Sequence, residues 1–300
     1  MDQSGSRSNW KSKISGLFAA KVNGYTIKPG ANLYGARLTG ANLNGANLQD
    51  ANLMGAFLIE AHLEYAILKN ASLTMANLQR ARIAEADLTR ARLISANLFS
   101  ANLERTKLIM ADLSGAGLDR TTLMFANLDG SNLSSAHVKE ANLQNASLKN
   151  ANLTETFFCR SDLSGSNMEG ANLKKSDLSE ANLTGVDLSD ANLTGACLPN
   201  SLLIDAKLTN ANLSGANLNF ANLKGADLSN ANLEGAELRG ANLTGALMPS
   251  ANLTNSFLNT ANLSNANLFW ANLTNAEMNK TVLIGTNLTG ATMPDGTIHG

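Results

Sequence analysis

Cysteine occurs only twice in the 300 residues, at Cys159 and Cys197. That scarcity excludes a disulfide-stapled secreted domain and a four-cysteine metal site, and a reducing, cytoplasmic setting is the expectation. Charge is sparse as well, at 16% of residues against about 25% in an ordinary soluble domain. The 23 Lys and Arg nearly cancel the 24 Asp and Glu, leaving a net charge of -1. Without a basic excess, nucleic acid is not an expected partner. Aromatic residues make up 5% of the chain, too few for a core of large rings. No apolar run approaches the roughly 18 residues that cross a bilayer. The best N-terminal stretch, from Ile14 to Ala20, is short and interrupted by Gly16. Neither a transmembrane helix nor a signal peptide is expected, and a membrane is not an expected partner.

What the sequence does hold is one repeat. From Ala31 the chain reads ANLYG, ARLTG, ANLNG, ANLQD, ANLMG and keeps that register to Gly300, giving 54 pentapeptides without an insertion. The third position is Leu in all but eight repeats, the exceptions including Ile83, Val138, Phe158, Met168 and Ile298, all apolar. The first position is nearly always Ala, Ser or Thr. First and third positions therefore face inward, and the second, most often Asn or Asp, faces out. Of the 20 glycines after residue 30, 18 fall at the fifth position, which implies a corner with positive φ. Pro199, Pro249 and Pro294 all fall at the fourth, where a turn uses a fixed φ. A helix is excluded, because its inward residues recur every 3.6 positions and not every five.

Charges reveal how many such sides make one coil, because residues stacked one coil apart prefer opposite sign. At a spacing of 20 residues the repeats contain 13 opposite pairs and no like pairs; at 15 there are two opposite and nine like, and at 25 none and nine. Four pentapeptides per coil is the reading, and the charge ladders fix its register. The tandem A(N/D)LXX motif resembles the pentapeptide-repeat family. The resemblance implies an all-β fold, a right-handed quadrilateral parallel β-helix of about 13.5 coils and about 65 Å length at about 4.8 Å per coil. The ending MPDGTIHG resembles the tail of many cyanobacterial members of that family.

Both ends of such a rod need covering. Residues 1–30 are read as an N-terminal helical cap and lead-in, with Trp10, Ile14, Leu17 and Phe18 on one apolar helical face after Ser8, and Gly24 and Pro29 ending the helix. The basic Arg7, Lys11, Lys13 and Lys21 leave a membrane-surface helix as the alternative for this segment. Residues 31–300 form the β-helix. Near its C-terminal end Leu247, Phe257, Phe269, Trp270, Val282 and Ile284 occupy outward positions, which makes this region the expected interaction surface and the seat of a homodimer through the C-terminal coils. A second outward apolar set in the first half, including Met54, Phe57, Tyr65, Ile67 and Phe125, winds around different faces.

Catalytic chemistry has no signature here. His62 and His137 fall on different sides nearly four coils apart, and His299 is at the chain end, so no histidine pair can hold a metal. Cys159 and Cys197 lie two coils apart, about 10 Å, beyond disulfide reach. No phosphate-binding loop, zinc-protease or nucleophile-elbow motif occurs. No cofactor is expected and the chain is read as a non-enzyme. The leading functional reading is a rigid protein–protein interaction scaffold for an unknown protein partner. The alternative, implied by the family resemblance, is DNA mimicry directed at DNA gyrase. A 65 Å mimic would need roughly 38 negative charges, whereas the repeats carry 23 acids against 18 bases. Ice binding by threonine columns is a third reading, weakened by charges such as Lys174 and Glu234 that interrupt the column.

Overall fold

The computed structural model describes residues 20–300. From Asn32 to Thr292 the second residue of each pentapeptide pairs in parallel with the residue 20 positions on, as in Asn32 with Asn52, Asn152 with Asn172 and Asn272 with Thr292. The chain is thus a parallel β-helix whose coil is four pentapeptides. Its sides are numbered here from Ala31, Ala36, Ala41 and Ala46, and repeat every 20 residues.

Each corner is a turn in which the first residue's N–H donates to the third residue's carbonyl, as Ala36 N does to Leu33 O at 3.0 Å. Every fifth residue from Gly30 to Gly290 has positive φ, including Arg80, Phe125 and Trp270, while the fourth has negative φ. That combination is a type II turn, which also explains why the three prolines sit at its first central position. The remaining backbone groups join neighbouring coils. Leu33 N donates to Asn52 O at 2.7 Å, Gly35 N to Met54 O at 2.9 Å, and Asn52 N back to Ala31 O at 2.9 Å.

That accounting leaves one donor per pentapeptide, the N–H of the fourth residue, and it explains the second-position Asn. All 31 Asn and Asp at that position accept a hydrogen bond from the fourth residue's N–H through Oδ1, at 2.9–3.3 Å. Where the second residue is something else, two substitutes recur. Glu64, Lys139, Lys149, Arg239 and Asn279 donate instead to an Asn or Asp at the fourth position one coil earlier. The three prolines, which have no N–H to satisfy, follow Cys197, Leu247 and Thr292.

Inside, the first- and third-position columns fill the rod, and from Ala31 to Leu273 nearly all are buried. Phe158 is the largest enclosed side chain; it stands one coil from Val138, so a larger residue sits beside a smaller one in the same column. Among the described residues, six of the nine buried hydroxyls at the first position donate to a backbone carbonyl, whereas Ser166, Ser176 and Ser256 have no partner. Thr121 donates to Leu118 O at 2.7 Å, and Ser161 Oγ both accepts from Ala141 N and donates to Val138 O.

The two ends differ from the sequence reading. Residues 20–27 form a hairpin and not the exit of a helix. Strand β1 (Ala20–Val22) pairs antiparallel with β2 (Tyr25–Ile27). The turn places Asn23 and Gly24 at φ 50° and 86°, the mirror-image geometry that Asn-Gly favours. Tyr25 Oη accepts from Arg37 N at 3.2 Å, which ties the hairpin to the first coil. Trp10, Ile14, Leu17 and Phe18, the expected cap, lie outside the described residues. At the other end the last pentapeptide leaves the register. Thr292 pairs antiparallel with Ile298; Gly290 N donates to His299 O at 2.8 Å and His299 N to Ala291 O at 2.9 Å. Ile298, expected inward, is therefore exposed. Its strand covers only the edge of the first side.

Five of the 13 charge pairs close as ion pairs: Glu60–Arg80, Arg120–Glu140, Lys149–Glu169, Arg160–Glu180 and Asp187–Lys207, at 2.8–3.6 Å. Burial raises the Asp187 carboxyl, but the Ser189 hydroxyl and N–H and Lys207 outweigh it and hold the group below its ordinary value. Glu180 is lowered by its hydrogen bond and attraction to Arg160. Groups lowered on folding stabilise the fold above their unfolded pKa of about 4 and lose that contribution as pH falls through the folded value. Tm should therefore hold from pH 7 to about 5 and fall below about 4, with a smaller fall in Asp187→Asn.

The capping rule gives a second expectation. Asn152 accepts from Thr154 N and Oγ1 and donates to Asn132. Asn152→Ala should lower Tm by about 2–5 °C, whereas Cys197→Ala, ahead of Pro199, should shift it by no more than about 1 °C. Thermal denaturation followed by circular dichroism checks both.

Candidate interaction surfaces

The histidines and cysteines form no reactive cluster. Among the described residues no three His, Cys, Asp or Glu are grouped to hold a metal. Burial and the nearby Asp177 carboxylate push the Cys159 thiol up, which keeps it protonated and a poor nucleophile. Cys197 lies 3.5 Å from Ser179 Oγ. His137 stacks on Phe157, ring centroids 5.0 Å apart. A shallow notch opens where the hairpin meets the rod, lined by Asn23, Arg37, Thr39 and Phe57.

The six C-terminal apolar residues do not make one patch. Leu247, Phe269 and Trp270 fall on the fourth side, Val282 and Ile284 on the third, and Phe257 on the second, by the 20-residue register. Phe269 and Trp270 stack with centroids 5.5 Å apart, and Trp270 and Ile284 are exposed at 66% and 73%. Trp270 leans over the corner one coil on. A Cβ added to Gly290 would meet its Cδ1 at 2.1 Å, and one added to Gly240 would meet the Phe220 ring at 2.6 Å. At these two corners the ring one coil earlier occupies the space a side chain would take, whereas non-glycine residues adopt the same φ elsewhere.

The aliphatic residues of the first half do wind around the rod. The phenylalanines do not. Of the seven that face outward in the repeats, Phe57, Phe99, Phe157, Phe220 and Phe257 all lie on the second side. Cations sit over three of those rings: Arg120 over Phe99 at 5.8 Å, Lys139 over Phe157 at 5.6 Å, and Arg239 over Phe257 at 4.4 Å. The same side has surrendered the capping residue. Asn or Asp holds its second position in four of 14 pentapeptides, against 11 of 14 on the first side and eight of 13 on the third and fourth. Sorting the outward residues by a period of 20 would have exposed this stripe from sequence.

A coil of four capped pentapeptides repeated along a filled rod defines the class of protein. The family model for pentapeptide repeats matches eight times, over residues 31–64, 58–93, 96–134, 141–179, 166–203, 200–236, 226–265 and 266–295. The chain belongs to the pentapeptide-repeat family. Among solved structures it is similar to HetL, a pentapeptide repeat protein involved in heterocyst differentiation regulation from Nostoc sp. strain PCC 7120. The two share 33% identity over 86% of this chain and 91% of that one, with a TM-score of 0.26. It is similar to QnrB1, a plasmid-mediated fluoroquinolone resistance protein, at 17% identity over 67% and 86% of the two chains, TM-score 0.30. Rfr23 from Cyanothece 51142 matches at 26% identity over 49% and 90%, TM-score 0.25. A comparison with curated proteins finds no match.

Gly290→Ala should displace the Trp270 ring and red-shift its fluorescence, read in a Trp10→Phe background. Gly235→Ala, where an added Cβ meets nothing within 4 Å at a similar φ, should leave the spectrum unchanged.

Proposed function

We infer that this pentapeptide-repeat protein is a rigid, non-enzymatic protein–protein interaction scaffold working in the cytoplasm. The observation that carries the reading is the exposure of large apolar side chains on a lattice that otherwise pairs its own polar groups. Phe220 and Trp270 stand out at 65% and 66% exposure, while second-position Asn and Asp are held by their own turns. Apolar groups fixed on a stiff frame lose little conformational entropy on binding. The finer picture is a right-handed rod of about 13.5 coils. Leu247, Phe269 and Trp270 offer one surface to a protein partner or to a C-terminal homodimer. The gyrase-directed alternative draws no support from the charge pattern, because the ion-pair ladders neutralise the carboxylates that a DNA mimic would display.

Affinity capture of the full chain from native lysate at physiological salt, beside a Phe269→Ala/Trp270→Ala variant, tests the reading. A discrete partner lost in the variant is the expected result; equal capture by both forms would overturn the role of this surface. Inhibition of gyrase supercoiling by micromolar protein would promote the alternative.

A further inference from the structure

The second side carries an arrangement that the scaffold reading does not use. Its five phenylalanines occupy the second, fourth, seventh, tenth and twelfth pentapeptides of that side, an order symmetric about Phe157. Phe57, Phe157 and Phe257 all hold the second position, 100 residues or five coils apart. Phe99 and Phe220 lie three coils to either side of the centre.

An antiparallel face-to-face pair, related by a two-fold axis lying in the contact plane, keeps each column opposite itself and reverses the order of coils. With the axis at Phe157, the symmetric order puts Phe57 opposite Phe257 of the other copy and Phe157 opposite itself. Phe99 then meets Asn219 beside Phe220. The same operation sets Arg37 opposite Glu277 and His137 opposite Asp177. Arg37, Phe57, His137 and Glu277 are exposed. The side carries seven basic and seven acidic residues, so two copies do not repel through net charge. The corner column lacks this match, since Glu140 would oppose Glu180; each is already held by its own arginine, Arg120 and Arg160.

Size is consistent with a stable contact. Thirteen pentapeptides at about 4.8 Å per coil run about 60 Å, and an extended side is about 10 Å wide. Two copies would bury about 1,200 Å² in all, the lower edge of the range for specific interfaces.

We propose that the second side is a lateral interface between two copies of this chain, packed antiparallel about Phe157. This contact is distinct from the surface of Leu247, Phe269 and Trp270 and goes beyond the scaffold reading. The variant Phe57→Asn/Phe157→Asn/Phe257→Asn tests it without endangering the fold, because Asn is the commonest residue at that position and restores the missing caps.

Sedimentation should give the native protein twice the 31.5 kDa of one chain, the triple variant one chain with unchanged circular dichroism, and Phe269→Ala/Trp270→Ala two chains. Arg37→Glu should raise the dissociation constant about tenfold, and Arg37→Glu/Glu277→Arg should return it. Cys159 lies at the axis, so in a Cys197→Ser background a bis-maleimide cross-linker with a span of about 10 Å should join two chains, and Cys159→Ser should abolish the link. A one-chain mass for the native protein at 100 μM would overturn the proposal. So would a dimer that survives the triple variant, or one lost only with Phe269 and Trp270.

Discussion

A backbone held in the left-handed region at every fifth residue is the constraint on which this molecule rests. For residues other than glycine that conformation costs roughly 1–2 kcal/mol each, and corners such as Arg80, Phe125 and Lys280 accept it. No isolated pentapeptide could sustain the strain. The offset comes from stacking, because each corner delivers the next side to a place where its N–H and carbonyl groups meet those of the coils on either side, and its Leu and Ala enter a continuous core. A coil is stable because it has neighbours, as in other solenoids.

From that constraint the composition follows. Once the third and fifth N–H point to one neighbouring coil, the second to the other and the first closes the corner, the fourth N–H alone faces outward. Asn or Asp at the second position is the shortest side chain able to reach it. Ser or Thr at the fourth then adds a hydroxyl to the same oxygen, as Thr194 does to Asn192. The hydroxyls and amides of this surface are largely committed to one another. Where the chain gives up that commitment, on the second side above all, the exchanged residues include three phenylalanines, Arg37, His137, Cys197, Glu237 and Glu277, and the surface becomes available for recognition.

Much of the fold was legible because repetition multiplies weak signals. Any one charge pair says little, yet 13 opposite pairs against none at a spacing of 20 identify the coil. The ends were less legible. Asn23-Gly24 carries a clear hairpin signal, but the helical spacing from Trp10 to Phe18 suggested one helix running to Gly24. Ile298 keeps the apolar period although Asp295 and Gly296 reverse the chain, because the pattern records spacing and not direction. The link between proline and the second position needed the hydrogen-bond geometry. The phenylalanine stripe was within reach of the sequence, but only once outward residues are sorted by the 20-residue coil, since its members lie 37–63 residues apart.

Register is the central claim, and paired deletions test it most directly. Removing residues 181–200 takes out one whole coil and leaves every side aligned. Removing residues 181–185 takes out one side, which brings Asp162 against Asp187 and Glu180 against Asp205 and breaks the second-side stripe. Thermal denaturation should show the twenty-residue deletion melting within a few degrees of the intact chain and the five-residue deletion melting clearly lower; equal melting temperatures for the two deletions would contradict a coil of four pentapeptides held in register.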